Sequence, residues 1–188
     1  MKQLLFIGLV FLAFGCGSTS KTYTVKDRDT TALDALMEKK QFEINSDWAQ
    51  PQITNAVAQV GNAGLFPPGS NVSNINLIGN PNYFKMEGDR ISAYFPYYGE
   101  RQMGGGYNNN NNQIEFEGVP LEYEVKRGKK DSYEIRFSIN DKNITTENYQ
   151  VTVQVYPNLS SVIRVSSSHR FPIRYKGHAK EIEDEKAQ

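Results

Sequence analysis

Two segments of this chain alternate apolar and polar residues with a period of two. Tyr133-Ile135-Phe137-Ile139 interleaves with Glu134, Arg136 and Ser138, and Tyr149-Val151-Val153-Val155 interleaves with Gln150, Thr152 and Gln154. A helix cannot satisfy that period. A strand with one wet and one buried face does, which is the signature of antiparallel sheet. The same reading extends to Phe42, Ile44 and then Trp48, to Ile75, Leu77 and Tyr83, and to Ile91-Ala93-Phe95. It continues through Ile114 and Phe116, Leu121-Tyr123-Val125, Ile163 and Val165, and Phe171-Ile173-Tyr175. Turn-forming runs separate the later strands: Gly128–Asp131, Asn140–Asn143, Pro157-Asn158 and Ser166–Ser168. Eleven Tyr and ten Phe add to the strand preference. The expected fold class is α+β, mainly antiparallel β-sheet, as a sandwich or partly open barrel.

One short N-terminal helix precedes the strands. Thr31 and Asp34 offer a variant capping box, and Leu33, Leu36 and Met37 share a face. Ile53, Val57 and Val60 fit either a helical turn or a strand. No internal repeat is visible.

The first residues have a different character. Met1-Lys2-Gln3 is a short positive start, Leu4 to Phe14 is nearly all apolar, and Gly15-Cys16-Gly17-Ser18 follows. This is the layout of a secretory signal. The apolar run falls short of the roughly 20 residues a membrane span needs. Cys16 is the single cysteine of the chain and stands where cleavage is expected. The layout resembles a bacterial lipoprotein signal, although Phe14 is bulkier than that pattern usually carries. The resemblance implies a lipidated Cys16 and attachment to a membrane by palmitate-type acyl chains. The expected organisation is a signal peptide over 1–15 and a lipidated tether over 16–29. A single β-rich domain follows over 30–179, then a charged tail over 180–188. Without Cys16 the chain has no thiol and forms no internal disulfide.

Chemistry is scarce. Lys+Arg and Asp+Glu are equal at 21 each, which excludes the basic footprint of nucleic-acid binding. The two histidines, His169 and His178, stand on different segments and do not make a zinc set. Asp27, Asp29 and Asp34 miss the spacing of a calcium loop. No cofactor is implied. His169 follows Ser166-Ser167-Ser168, so a Ser–His–acid hydrolase is conceivable, but no Gly-x-Ser-x-Gly elbow accompanies it. Glu115, Glu117, Glu122 and Glu124 alternate with apolar residues, which sends them to the solvent face as cross-strand partners of Lys and Arg. No catalytic residue is assigned.

Two features suit binding. Gly104-Gly105-Gly106-Tyr107 with Asn108–Asn112 reads as a long hairpin loop. Tyr94-Phe95-Pro96-Tyr97-Tyr98 leads into it. Tyr94, Tyr97, Tyr98 and Tyr107 are the candidate ligand-binding residues, as an amphipathic patch for glycan or peptide contact. The alternative for Tyr97 or Tyr98 is to close the end of the core.

Phe95-Pro96-Tyr97-Tyr98-Gly99, Ile114-x-Phe116, Tyr149–Val155 with Pro157-Asn158, and Arg170–Gly177 occur in one order. In that order they resemble the Bacteroidetes envelope lipoproteins catalogued as domain of unknown function 4251. The resemblance covers roughly Leu33 to Gly177. It implies a lipid anchor and a compact strand-rich domain, and carries over no activity and no catalytic residue. Gly17-Ser18-Thr19-Ser20-Lys21 lacks the acidic residues associated with surface display in such bacteria. The resemblance therefore implies an outer-membrane anchor with the domain facing the periplasm. The expected function is a non-catalytic binding or assembly module of the cell envelope, meeting an envelope protein, a glycan or a peptide. Carriage of a lipid or other apolar ligand is the alternative, ahead of a hydrolase.

Overall fold

The computed structural model describes residues 29–103, 113–144 and 146–182. Cys16, the tether, the Gly/Asn loop with Tyr107, and the last six residues of the charged tail lie outside them. Two helices are present, α1 (Thr31–Lys39) and α2 (Asn55–Asn62). The strands are β1 (Gln41–Pro51), β2 (Ile75–Asn76), β3 (Tyr83–Glu87), β4 (Arg90–Pro96) and β5 (Gln113–Gly118). They continue with β6 (Leu121–Arg127), β7 (Tyr133–Asn140), β8 (Asn148–Val155), β9 (Ser160–Ser167) and β10 (Ile173–Glu181). All pairings are antiparallel, in the order β5-β4-β3-β1-β10-β9-β8-β7-β6, with β2 beside β1. Two meanders thus meet where β1 pairs with β10, so the first and last long strands are neighbours.

The sheet curls into a half-barrel. Phe84 on β3 and Phe116 on β5 stand 6.2 and 6.0 Å from the Phe137 ring on β7, and Phe116 lies 5.9 Å from Tyr149 on β8. Those strands are far apart in the sheet order, so only curvature brings their rings together. One apolar cluster fills the inner face and takes in Leu33 and Leu36 of α1. Of the two architectures expected, this is the partly open barrel. Side chains tie α1 to the second meander. Asp34 on α1 accepts hydrogen bonds from Arg127 Nη2 at 2.5 Å and Tyr133 Oη at 2.9 Å.

Several local expectations change. Most of the ambiguous Ile53–Val60 segment lies in α2, a second helix. Thr54 Oγ1 accepts from the Val57 amide at 3.3 Å, which caps its start. In α1 the N-cap is Thr30 rather than Thr31; Thr30 Oγ1 donates to Asp34 Oδ2 at 2.7 Å. Leu121, Tyr123 and Val125 are not buried, although Val125 pairs with the inward Ile135 and Tyr123 reaches Met86. The three are 59, 38 and 41% exposed, because β6 is the sheet edge and its register breaks between Leu121 and Glu124. Glu122 there has φ +52°. Lys180 and Glu181 belong to β10, not to a tail. Glu181 is held by Lys39 at 2.5 Å, and Lys180 lies 3.7 Å from Glu43.

Trp48 is also displaced from the phase of Phe42 and Ile44. The β1–β10 register shifts between Ser46 and Trp48, leaving Asp47 as the extra residue of a bulge. Before the bulge the even positions Phe42, Ile44 and Ser46 are buried; after it the odd positions Ala49 and Pro51 are. Trp48 therefore moves to the opposite face. Gly177 sits against this bulge. A Cβ there would stand 1.9 Å from Asn45 O and 2.6 Å from Ser46 Cα, both immovable backbone. Gly177→Ala is expected to cost about 1–3 kcal/mol by forcing β1 and β10 apart. Urea denaturation checks this, and an unchanged midpoint would mean that the bulge yields freely.

Candidate functional site

The outer face of the same strands is polar, and the pairing registers align it. Gln50, Arg174, Arg164, Thr152, Arg136 and Glu124 form one row across β1, β10, β9, β8, β7 and β6. They line a groove of about 670 Å³, to which Gln150 and Ser166 of the next row also contribute. The strand alternation makes this inevitable. Ile163 and Val165 turn inward, so Arg164 turns out; Ile173 and Tyr175 turn inward, so Arg174 turns out.

The electrostatics of the row are uneven. Arg136 pairs with Glu134 on its own strand, and Glu124 pairs with Lys126 at 2.6 Å. Arg164 and Arg174 are direct cross-strand neighbours. Like charges at that position, with side-chain origins about 5 Å apart, destabilise a sheet. Among the described residues no carboxylate forms an ion pair with either. Gln50, at the end of the row, donates through Nε2 to Asn74 Oδ1 at 2.5 Å, while its Oε1 is buried with no hydrogen-bond partner.

A second polar arrangement lies in the interior, at one end of the half-barrel. Arg170 is 2% exposed. Its guanidinium meets Glu147 as a fork, Nε to Oε1 at 2.8 Å and Nη2 to Oε2 at 3.2 Å. Nη1 donates to the Gln113 carbonyl at 2.7 Å. Glu147 also accepts from Ser167 Oγ at 2.8 Å and lies 3.5 Å from Arg101 Nη2. Asp141 stands 4.0 Å from Arg170, accepts from Tyr149 Oη at 2.5 Å, and takes the amides of Asn143 and Ile144 at 2.7 Å each. The Tyr97 ring packs 5.1 Å from the guanidinium. Two cations face two carboxylates, and both carboxylates accept further hydrogen bonds. Burial opposes the charge on Arg170, but the Glu147 hydrogen bond and the nearby anions outweigh it and hold the guanidinium firmly protonated. This cluster ties the β7–β8 and β9–β10 loops to the start of β5. Arg170, Glu147 and Asp141 are taken up by one another and by their neighbours, which suits a structural rivet rather than a ligand site.

The tyrosines expected to form a patch are distributed. Tyr97 is buried, its hydroxyl 2.8 Å from the Glu100 carbonyl and 2.9 Å from that of Phe171. Tyr98 packs on the core edge against Phe66, at 6.3 Å between ring centres. Burial raises the pKa of both hydroxyls. Tyr94 is half-buried on the outer face of β4, between Tyr83 and Glu115. Tyr107 is not among the described residues.

His169 Nδ1 lies 3.0 Å from Ser168 Oγ, its sequence neighbour in an exposed turn. Ser167 is turned the other way, donating to Glu147 and accepting the amides of His169 and Arg170. Among the described residues no acid is hydrogen-bonded to the His169 ring, and no group of three or more His, Cys, Asp or Glu could hold a metal. The glutamates of β5 take basic partners as the alternation predicts. Lys142 bridges Glu115 at 3.1 Å and Glu117 at 3.2 Å, and Arg90 reaches Glu117 at 3.4 Å.

No curated protein matches the chain. Among solved structures, the crystal structure of a DUF4251 family protein from Bacteroides eggerthii DSM 20697 superimposes with a TM-score of 0.51 at 11% identity. That match covers 81% of this chain and 85% of the other, a likeness of fold. The family model described as "Domain of unknown function (DUF4251)" matches residues 25–179. That match spans most of the chain, and the chain therefore belongs to the DUF4251 family.

Proposed function

We propose that the chain is a non-catalytic binding module of the bacterial cell envelope, anchored in the outer membrane by lipid on Cys16, with its domain facing the periplasm. The observation that carries the binding reading is the polar groove crossing six strands, with an unpaired Arg164–Arg174 couple at its centre. The interior supports binding over carriage. Its apolar cluster is continuous. The apolar concavity bordered by Met86, Ile91, Val119 and Tyr123 measures about 180 Å³, below the roughly 300 Å³ at which ligand pockets begin. Hydrolysis has less support, since His169 and Ser168 form a local contact in an exposed turn and no acid among the described residues is hydrogen-bonded to the ring.

The anchor rests on the sequence around Cys16. Cells fed an alkyne fatty acid are expected to label the protein in the membrane fraction. Cys16→Ser is expected to abolish the label and release the protein, because a single attachment point is lost with all its acyl chains. Label and membrane attachment that survive Cys16→Ser would contradict the anchor. For the binding role, capture of an envelope polymer or protein from crosslinked cells is expected in excess of a lipidated control, and its absence would contradict the role.

A further inference from the structure

We infer that the groove is a site for an acidic saccharide, whose carboxylate or other anionic group sits between Arg164 and Arg174 while a sugar hydroxyl donates to Gln50. The inference rests on the binding role proposed above and specifies its ligand. Three observations converge on it. Arg164 and Arg174 are paired directly across adjacent strands, on one face, without an acid partner among the described residues. An anion placed between them removes their repulsion and gains charge-assisted, fork-like hydrogen bonds. Gln50 Oε1 is a buried acceptor with no donor, and such a group is costly to leave unsatisfied. A bare anion offers acceptors alone and cannot satisfy it; a hydroxyl can. Thr152, Gln150 and Ser166 add neutral hydrogen-bonding groups along the same groove, which suits a ligand dense in hydroxyls.

The strand pairing argues against a peptide here. Beneath Arg164 and Arg174, β9 lies between β8 and β10, and β10 lies between β9 and β1. Their backbone donors and acceptors are already engaged, so an extended peptide cannot add as a strand. Nucleic acid is disfavoured by the neutral charge of the whole chain. At about 670 Å³ the groove is of ligand-binding size.

The test is calorimetric titration of the full chain, purified in detergent, with tetragalacturonate, its neutral methyl ester, and inorganic phosphate. Tetragalacturonate is expected to bind, and its ester to bind about tenfold more weakly or worse. Arg164→Gln and Arg174→Gln are each expected to weaken the acid by about tenfold or more, and Gln50→Ala by about threefold. Arg90→Gln, outside the groove, should change nothing. Both arginine variants should melt at the same or a slightly higher temperature, since each relieves a like-charge contact; loss of binding is then not loss of fold. Absent binding of tetragalacturonate, or binding indifferent to Arg164 and Arg174, overturns the inference. Phosphate binding as tightly as the saccharide with Gln50→Ala silent overturns its sugar component. Capture of envelope material that persists in Arg164→Gln/Arg174→Gln overturns the anion site and leaves the binding role intact. Failure of the unaltered chain to capture anything overturns both.

Discussion

Arg170→Met is expected to destabilise the domain by about 3–5 kcal/mol. The replacement fits the volume of the stem but removes the cation from Glu147 and leaves it, with Asp141, buried beside Arg101 alone. Glu147 is 0% and Asp141 5% exposed, so water cannot take over their solvation. A domain of this size has roughly 5–15 kcal/mol of total stability, so the loss is a large share of it. Restoring the balance is expected to recover much of the cost. The double variant Arg170→Met/Glu147→Leu removes the bonded pair together and leaves Asp141 its bonds from Tyr149 Oη and the Asn143 and Ile144 amides, and apolar replacements of buried ion pairs are often neutral or stabilising. Urea denaturation with a shared slope across the variants measures both effects. A cost below about 1 kcal/mol for Arg170→Met would mean that the pair is solvated like a surface ion pair and is no rivet.

The domain is expected to lose stability steeply above about pH 10. Tyr97, Tyr149 and Tyr175 are all buried, and burial pushes each phenol above its ordinary range. For Tyr149 the bond to Asp141 pushes the same way, while Arg170 opposes it. Tyr175 Oη is bonded to the Pro96 carbonyl at 2.9 Å and its ring stacks on Phe95 at 4.3 Å. In the unfolded chain these phenols ionise near pH 10, whereas in the folded domain they keep their protons. The unfolded state therefore binds fewer protons above that pH, and stability falls as pH rises. The contribution is complete below about pH 10 and is lost towards the raised folded values, at about 1.4 kcal/mol per pH unit for each tyrosine. Three acting together remove about 3 kcal/mol between pH 10 and 11, because the unfolded phenols are only half ionised at the start of that interval. Urea midpoints that stay level over that interval would contradict it. Tyr97→Phe should reduce the slope by about one third.

Much of the sheet was legible because alternation directly reports which face is buried. Ile135, Phe137, Val151, Val153, Ile163 and Tyr175 are all inside, as their phase requires. Phase fails wherever the backbone slips. At Asp47 a bulge reverses it for Trp48, and at Glu122 an edge strand is freed from having a buried face at all. Neither event has a mark in the side-chain pattern. Gly177 is the one local sign of the first, and it serves a close approach that becomes visible only with β1 in place. The buried ion cluster went unread for a different reason. Asp141 continues the inward phase of Ile135-Phe137-Ile139, and Glu147 continues that of Tyr149-Val151-Val153 back by one step. Charged residues on an inward phase were the available signal, masked by turn-like neighbours. The groove was unread because its row joins residues from six strands, and strand order is not written in the period of any one of them.

In the proposed arrangement the outer arginine couple binds the ligand while the inner arginine holds the fold. Arginine side-chain NMR of the full chain, titrated with tetragalacturonate, addresses it directly. The Nε–Hε signals of Arg164 and Arg174 are expected to move together and saturate, while that of Arg170, locked onto Glu147 in the interior, stays in place. Stationary Arg164 and Arg174 signals, or a moving Arg170, would contradict this division of roles.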